Sequence, residues 1–208
     1  MPSTGETSDE RDAFQKWDAA FSQSDPARPD RPYEILARLP GSETLLLWKT
    51  LDPVRSEHGL TILPMATLRR AVAAVRYVVS ACTGALVLGA AGLLRGRRAG
   101  THWMSRDLLR AFGAEPVAER VVVDGNIFTG RGVTAGIDVA LAVAAEIASR
   151  VTAETIQLDI EYEPALPFAS GSPETDDPAV VLAGVLPRAE PRQRDRAEWV
   201  AHAAATLG

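Results

Sequence analysis

YVVSACTGALVLGAAGLL, residues 77–94, is the stretch whose reading decides the fold. Its first half, Tyr77 to Ala81, is aromatic, β-branched and small, which reads as a short buried strand. Its second half, from about Thr83 to Leu94, is rich in Gly, Ala and Leu and reads as a helix closing at Arg95-Gly96, where glycine suits a C-cap. Between them stands Cys82, the chain's single cysteine. A sharp turn there places the thiol at a helix N-terminus, where unpaired N–H groups and the positive end of the helix dipole favour thiolate over thiol. Gly84 suits a turn in which the backbone passes close to itself. This is the cysteine counterpart of the serine nucleophile elbow. A second reading stays open: free cysteine behaves as a small hydrophobe, and one at the end of a core strand needs no chemistry.

Working outward, the pattern from Pro32 alternates short strands with helices, which predicts an α/β fold with a mostly parallel sheet. Tyr33 to Arg38 reads as helix, Thr44 to Lys49 as strand, Asp52-Pro53 as a turn and Leu60 to Leu63 as a second short strand. Leu68 to Val75 reads as helix and Ala99 to His102 as a short strand. Ser105 to Phe112 reads as helix with Ser105 as its N-cap. Val121 to Val123 and Ile127 to Thr129 flank Asp124-Gly125-Asn126, a hairpin signal. A long helix runs from Thr134 or Ala135 to Ser149, and another covers Thr152 to Tyr162. Residues 1–31 read as a flexible segment, polar, charged and Pro-containing, in which AFQKWDAAF forms at most a short helix. The tail, residues 174–208, reads as helical runs interrupted at Pro178, Pro187 and Pro191. Its basic stretch Arg188 to Arg196 alternates with acids, which predicts a solvated helix face.

Composition sets bounds. The chain has 208 residues, enough for one domain with a sizeable core, and a formal net charge of -5, which favours neither nucleic acid nor an anionic membrane surface. One cysteine and three scattered histidines, His58, His102 and His202, leave no internal disulfide and no metal-ligand spacing. No apolar stretch reaches the roughly 18 residues of a membrane span, and the acidic N-terminus is not a secretory signal. The expectations are a cytoplasmic protein with no metal, no cofactor, no nucleic-acid partner and no membrane partner. Arginine far outnumbers lysine and alanine is abundant, which suggests a GC-rich bacterial gene.

Further site candidates lie downstream. GRGVTAG, residues 130–136, enters a helix. Converging N–H groups there suit an anion or a pocket wall, and the glycines suit close helix–sheet packing equally well. It lacks the lysine of a phosphate-binding loop and the spacing of a dinucleotide fingerprint. Asp138, in the first turn of that helix, reads as complementing the dipole. His102 reads as a structural histidine. Thr83 either works on a reacting group through its hydroxyl or satisfies a free backbone N–H of the helix start.

SACTGALVLGAAGLLRGRRAGTHW, residues 80–103, resembles the elbow of the PfpI-like branch of the class I glutamine-amidotransferase-like superfamily. Residues 32–64, 129–147 and 156–173 agree in order and spacing. Within that branch the chain is most similar to the isonitrile hydratase group, because Cys82 is followed by threonine where protease-like and deglycase-like members place histidine. The resemblance implies a flavodoxin-like α/β sandwich with a mostly parallel sheet and a nucleophile elbow in residues 32–173. It implies water addition to an isonitrile, giving an N-substituted formamide, without cofactor or metal. It assigns Cys82 and Thr83 as catalytic, with substrate or oxyanion support from Gly84, Gly132, Val133 and Thr134. A small-molecule substrate and a homodimer are the partners it implies.

The chain departs from the family pattern in two places. The family's acidic residue near the cysteine aligns with Arg28, Asp25 and Asp30 being off register. The family's strand, Gly-Gly loop and helix between the second strand and the elbow are replaced by the short connection ATLRRAVAAV, residues 66–75. The resemblance therefore implies an incomplete sandwich, shortened at its N-terminus and internally. A non-catalytic relative that binds a ligand or is vestigial stays open beside the enzyme. The connection 66–75 is expected not to serve as a plain loop, because unpaired buried backbone groups each cost about 1–3 kcal/mol.

Overall fold

The computed structural model describes residues 17–23, 30–55 and 61–207. Its main sheet is six-stranded, in the order β5-β2-β1-β6-β10-β9. These strands are β1 (Trp17–Gln23), β2 (Glu43–Trp48), β5 (Ala66–Thr67), β6 (Tyr77–Ala81), β9 (Val121–Asp124) and β10 (Ile127–Gly130). All neighbours run parallel except β9, which pairs antiparallel with β10 at the edge. Two small ribbons accompany it: β3 (Val54–Arg55) with β4 (Thr61–Ile62), antiparallel, and β7 (Arg98–Ala99) with β8 (Glu115–Pro116), parallel. The fold is α/β with a mostly parallel sheet.

Strand β6 is buried at every position, as a central strand covered on both faces must be. Its side chains alternate between two cores. On one face, Val78 joins Leu45, Leu47 and Ile127 under the elbow helix α3 (Gly84–Ala90) and α2 (Leu68–Ala71). On the other, Tyr77, Val79 and Phe128 pack under α1 (Asp30–Leu36), α4 (Ala135–Ile147) and α5 (Arg150–Asp159). The Tyr77 and Phe128 rings meet edge to face at 5.7 Å.

The hairpin falls where Asp124-Gly125-Asn126 predicts it. Gly125 takes a φ of 59°, which a turn matched to the sheet's twist requires of its first central residue. The elbow helix is shorter than expected, with turns from Ala91 to Gly96 in which Gly92 and Gly96 both have positive φ. Trp103–Phe112 is a 3₁₀ segment, and its N-cap is His102, not Ser105. The segment starts two residues earlier than the sequence suggests, so His102 Nδ1 takes the Met104 N–H and Ser105 lies inside the segment.

Residues 17–23 correct the expectation of a flexible or helical segment. They form a strand inserted between β2 and β6, with backbone pairing on both sides. An Ala-containing stretch with weak helical preference yields to two ladders of tertiary pairing. The rest of residues 1–31, apart from the start of α1, lies outside the described residues, including Asp25 and Arg28. The connection 66–75 is not a plain loop. Ala66–Thr67 pairs with β2, and α2 follows, burying Leu68 and Ala71 before the chain turns into β6. The sheet closes by pairing β6 directly with β1 over five residues, Ala19 to Gln23 against Tyr77 to Ala81.

The tail is a π-helical turn (Val180–Val185) leading into α6 (Leu186–Ala205), with Pro187 in the first turn and Pro191 inside the helix. Val200 is buried against the elbow-side core, and Gln193 Nε2 donates to the Met104 carbonyl. Arg196 is not solvated as expected: its guanidinium is half-buried and donates to Ser105 Oγ at 3.1 Å.

Candidate active site

Three neighbouring strands end together. Gln23 of β1, Ala81 of β6 and Gly130 of β10 share one register, so the segments that follow all leave the same carboxyl edge. The chain passes from β1 to β2 on one side, and later to β6 on the other. The crevice between β1 and β6 is therefore a topological switch point, where open parallel sheets take their ligands. Cys82 is the first residue after β6, at that crevice.

Cys82 has a φ of 56°, in the left-handed region that non-glycine residues enter at a cost of about 1–2 kcal/mol. Among the described non-glycine residues only Glu161 shares a positive φ. Such strain persists where surrounding contacts over-determine it. Here the Cys82 N–H donates to the Gly130 carbonyl at 2.9 Å, and the Cys82 carbonyl accepts from Thr101 Oγ1 at 2.8 Å. The thiol is buried, and Thr83, the N-cap of α3, is buried beside it. The strand–turn–helix reading of residues 77–90 thus describes the local geometry, and Cys82, Thr83 and Gly84 are its consecutive members.

Buried polar side chains adjoin this turn: Ser80, Thr83, Thr101 and Thr129. Thr129 Oγ1 accepts from the Gly100 N–H at 2.8 Å. Ser80 Oγ is fully buried and has no hydrogen-bond partner among the described residues.

The GRGVT loop joins the elbow at its base, where the Gly130 carbonyl takes the Cys82 N–H. Packing explains Gly130 of the loop and Gly136 in the helix that follows. A Cβ on Gly130 would lie 2.7 Å from Val139 Cγ2, and one on Gly136 would lie 2.8 Å from Pro32 Cγ. Around Gly132 no atom of the described residues comes within 4 Å of the corresponding point. Gly132, Val133 and Thr134 form the entry to α4, their carbonyls accepting from Ala135, Gly136 and Ile137. Val133 and Thr134 are exposed. Thr134 Oγ1 accepts from Arg120, which also pairs with Asp138 at 2.7 Å. Tyr162 donates to the same Asp138 carboxylate, so Asp138 is committed to holding the loop as well as facing the helix dipole.

An ion cluster is built on Arg131 of the loop. Arg131 donates to the Ala118 carbonyl, Ser172 Oγ and the Glu174 carboxylate, and Arg106 donates to Glu174 at 2.7 Å. The Ser172 hydroxyl and then the Arg106 guanidinium hold Glu174 down to about 2. His102 is pushed below its ordinary value, first by burial and then by the Arg196 and Arg131 charges. It caps the 3₁₀ segment, the structural role the sequence suggested. Among the described residues no group of three or more His, Cys, Asp or Glu is placed to hold a metal ion. No helix among them is long and apolar enough to cross a membrane.

Comparison with known proteins bears on this geometry. The chain is 45% identical to isonitrile hydratase of Pseudomonas putida over 206 residues, covering 85% of this chain and 90% of that protein. The model of the DJ-1/PfpI family matches residues 51–146, which contain the elbow and the GRGVT loop. The chain belongs to the DJ-1/PfpI family. A crystal structure of a ThiJ/PfpI family protein from Pseudomonas syringae superposes with a TM-score of 0.76 at 32% identity, covering 98% of this chain and 97% of that one. A DJ-1 superfamily protein from Salmonella typhimurium shares the fold, with a TM-score of 0.56 at 24% identity over 72% of this chain and 100% of that one. Since 85% of a 208-residue chain is fewer than 206 residues, the alignment with the hydratase opens gaps in this chain. That relative carries residues this DJ-1/PfpI member lacks.

Sequence reasoning missed Thr101, the partner of the Cys82 carbonyl, although it stands beside His102 in the quoted THW. It also missed the Arg106–Glu174–Arg131 cluster. Neither has a local signal, because the partners are 19 and more residues apart.

Proposed function

We propose that this chain is an isonitrile hydratase, adding water to an isonitrile to give an N-substituted formamide. The observation that carries the reading is Cys82 in a left-handed turn at the carboxyl end of β6, at the sheet's switch point. Threonine at position 83 and the similarity to the Pseudomonas putida enzyme support the substrate class.

In this reading the Cys82 thiolate attacks the terminal isonitrile carbon. A C–S bond forms, and the carbanion left on that carbon takes a proton, relayed by the Thr83 hydroxyl, giving a thioimidate. Water then attacks the same carbon while the nitrogen takes a proton. The C–S bond breaks, the thiol is regenerated and the formamide leaves. Backbone N–H groups at Thr83 and Gly84, with those of Gly132, Val133 and Thr134, face the charge that develops. Thr83 cannot serve as a base near neutral pH, so its part is to relay and orient. The shortened connection before β6 removes donors the family places near the cysteine, so turnover is expected to be slow. Loss of one such donor costs about a hundredfold or more. The assembly expected is a homodimer acting in the cytoplasm; a stable monomer at micromolar concentration in light scattering would contradict the dimer.

Steady-state hydration of a simple alkyl isonitrile, followed by proton NMR of the formamide, tests the reading. Wild type should turn over, Cys82→Ala should not, and Thr83→Val should lose about a hundredfold, the scale of one acid–base contribution. A Cys82→Ala variant as active as wild type would overturn it.

A further inference from the structure

The Cys82 carbonyl is buried at the turn, and the first turn of the elbow helix closes on the Thr83 carbonyl. Thr101 meets the Cys82 carbonyl. Its hydroxyl donates to the Cys82 carbonyl oxygen at 2.8 Å, and the residue is wholly buried. The peptide joining Cys82 to Thr83 is planar and trans, so its carbonyl and its N–H point to opposite sides. A hydroxyl that fixes the carbonyl therefore fixes the direction of the Thr83 N–H. In a nucleophile elbow the N–H of the residue after the nucleophile is one of the donors to the developing anion.

Thr101 is itself anchored to the sheet that carries the elbow. The preceding residue, Gly100, donates its N–H to Thr129 Oγ1 at 2.8 Å. Thr129 is in register with Ser80, two residues before Cys82. A Cβ on Gly100 would lie 3.1 Å from Val122 Cγ2, so this backbone sits close against β9. The clamp and the peptide it clamps are thus referenced to the same strands.

We propose that Thr101 is a positioning residue: its hydroxyl orients the Cys82–Thr83 peptide, and with it the N–H that donates to the anion developing during the reaction. The proposal rests on the hydration reading above for its kinetic part. A bond that served only stability would change melting temperature and leave the chemistry of the thiol alone.

The experiment compares Thr101→Val, which keeps the shape and loses the hydroxyl, with Thr101→Ser, which keeps the hydroxyl. Removing a donor outright costs about a hundredfold to a thousandfold, so a donor that is turned should cost about tenfold. Thr101→Val is expected to lose about tenfold in kcat with KM within about twofold, and Thr101→Ser to stay within about threefold of wild type. Iodoacetamide alkylation of Cys82 against pH is measured on the same folded proteins. Its rise should move to higher pH in Thr101→Val and follow wild type in Thr101→Ser. Thr101→Ala, which also loses the hydroxyl and adds no thiol, should behave as Thr101→Val and replaces it if the valine variant does not fold. The proposal is overturned if Thr101→Val matches wild type in both kcat and alkylation profile, or if Thr101→Ser falls as far as Thr101→Val. If wild type hydrates no isonitrile, the reading of the activity fails, and the alkylation profiles alone still decide the role of Thr101.

Discussion

The seat of the elbow helix gives a sharp prediction. Gly89, on α3, faces Phe112 at the end of the 3₁₀ segment. A Cβ there would lie 2.3 Å from Phe112 Cδ2 and 2.7 Å from Cγ. Carbon atoms in contact sit about 3.5–4.0 Å apart, so either the ring or the helix must move by more than about an ångström. Phe112 is 3% exposed and has little room to yield. Overpacking of this kind costs about 1–3 kcal/mol. Against that, replacing glycine by alanine inside a helix gains about 1 kcal/mol. The overlap is deep, so the cost should win and Gly89→Ala should lose about 1–2 kcal/mol. For a chain of this size that lowers the melting temperature by about 2–8 °C. The assay is thermal unfolding of a double-mutant cycle with Phe112→Leu. On the leucine background the alanine should cost little or stabilise, giving a coupling of about 1 kcal/mol or more. Because α3 begins two residues after Cys82, the single variant should also alter the rate of Cys82 alkylation. If Gly89→Ala raises the melting temperature in the wild-type background, or the cycle shows no coupling, the close approach of helix and ring is not as described.

Further outcomes follow from the site and its surroundings. At a φ of 56° a glycine is unstrained where an alanine is not, so Cys82→Gly should be more stable than Cys82→Ala by about 0.5–1 kcal/mol in denaturant unfolding, the reverse of the usual helix order. Glu174 is held at about 2 in the folded state, below its unfolded value, so it stabilises above pH 4.5 and that contribution is lost as pH falls toward 2. Glu174→Gln should flatten the pH dependence of stability across that window, by a modest amount because the carboxylate is partly exposed. His102 is lowered in the folded state, so the unfolded chain takes up the proton first and stability falls as pH drops below about 6.5. His102→Asn keeps a capping acceptor without titrating, and melting curves between pH 7 and pH 5 should show it losing less stability than wild type.

Much of this arrangement is legible in the sequence because its signals are local. The run YVVSA is aromatic, β-branched and small, and it forms the buried strand Tyr77–Ala81. Asp124-Gly125-Asn126 carries the turn chemistry its hairpin needs, and the cysteine between a strand pattern and a Gly/Ala/Leu run carries the elbow. What the sequence conceals is decided at a distance. WDAAFSQ has no strong β signal of its own, and it is a strand because β2 and β6 flank it. Ser105 looks like a cap, yet His102 takes that place and Ser105 serves the tail through Gln193 and Arg196. Thr134, which the family resemblance places in the pocket, uses its hydroxyl oxygen to accept from Arg120. The bond from Thr101 to the elbow joins residues that no spacing rule connects.

The central claim is that Cys82 carries out water addition to an isonitrile, and isotope labelling tests it most directly. Wild type and Cys82→Ala are incubated with an alkyl isonitrile in water enriched in oxygen-18, and the formamide is read by mass spectrometry. The account predicts formamide carrying one labelled oxygen from wild type, above the enzyme-free rate, and only the enzyme-free rate from Cys82→Ala. Equal labelled product from both proteins, or none from wild type, would contradict it.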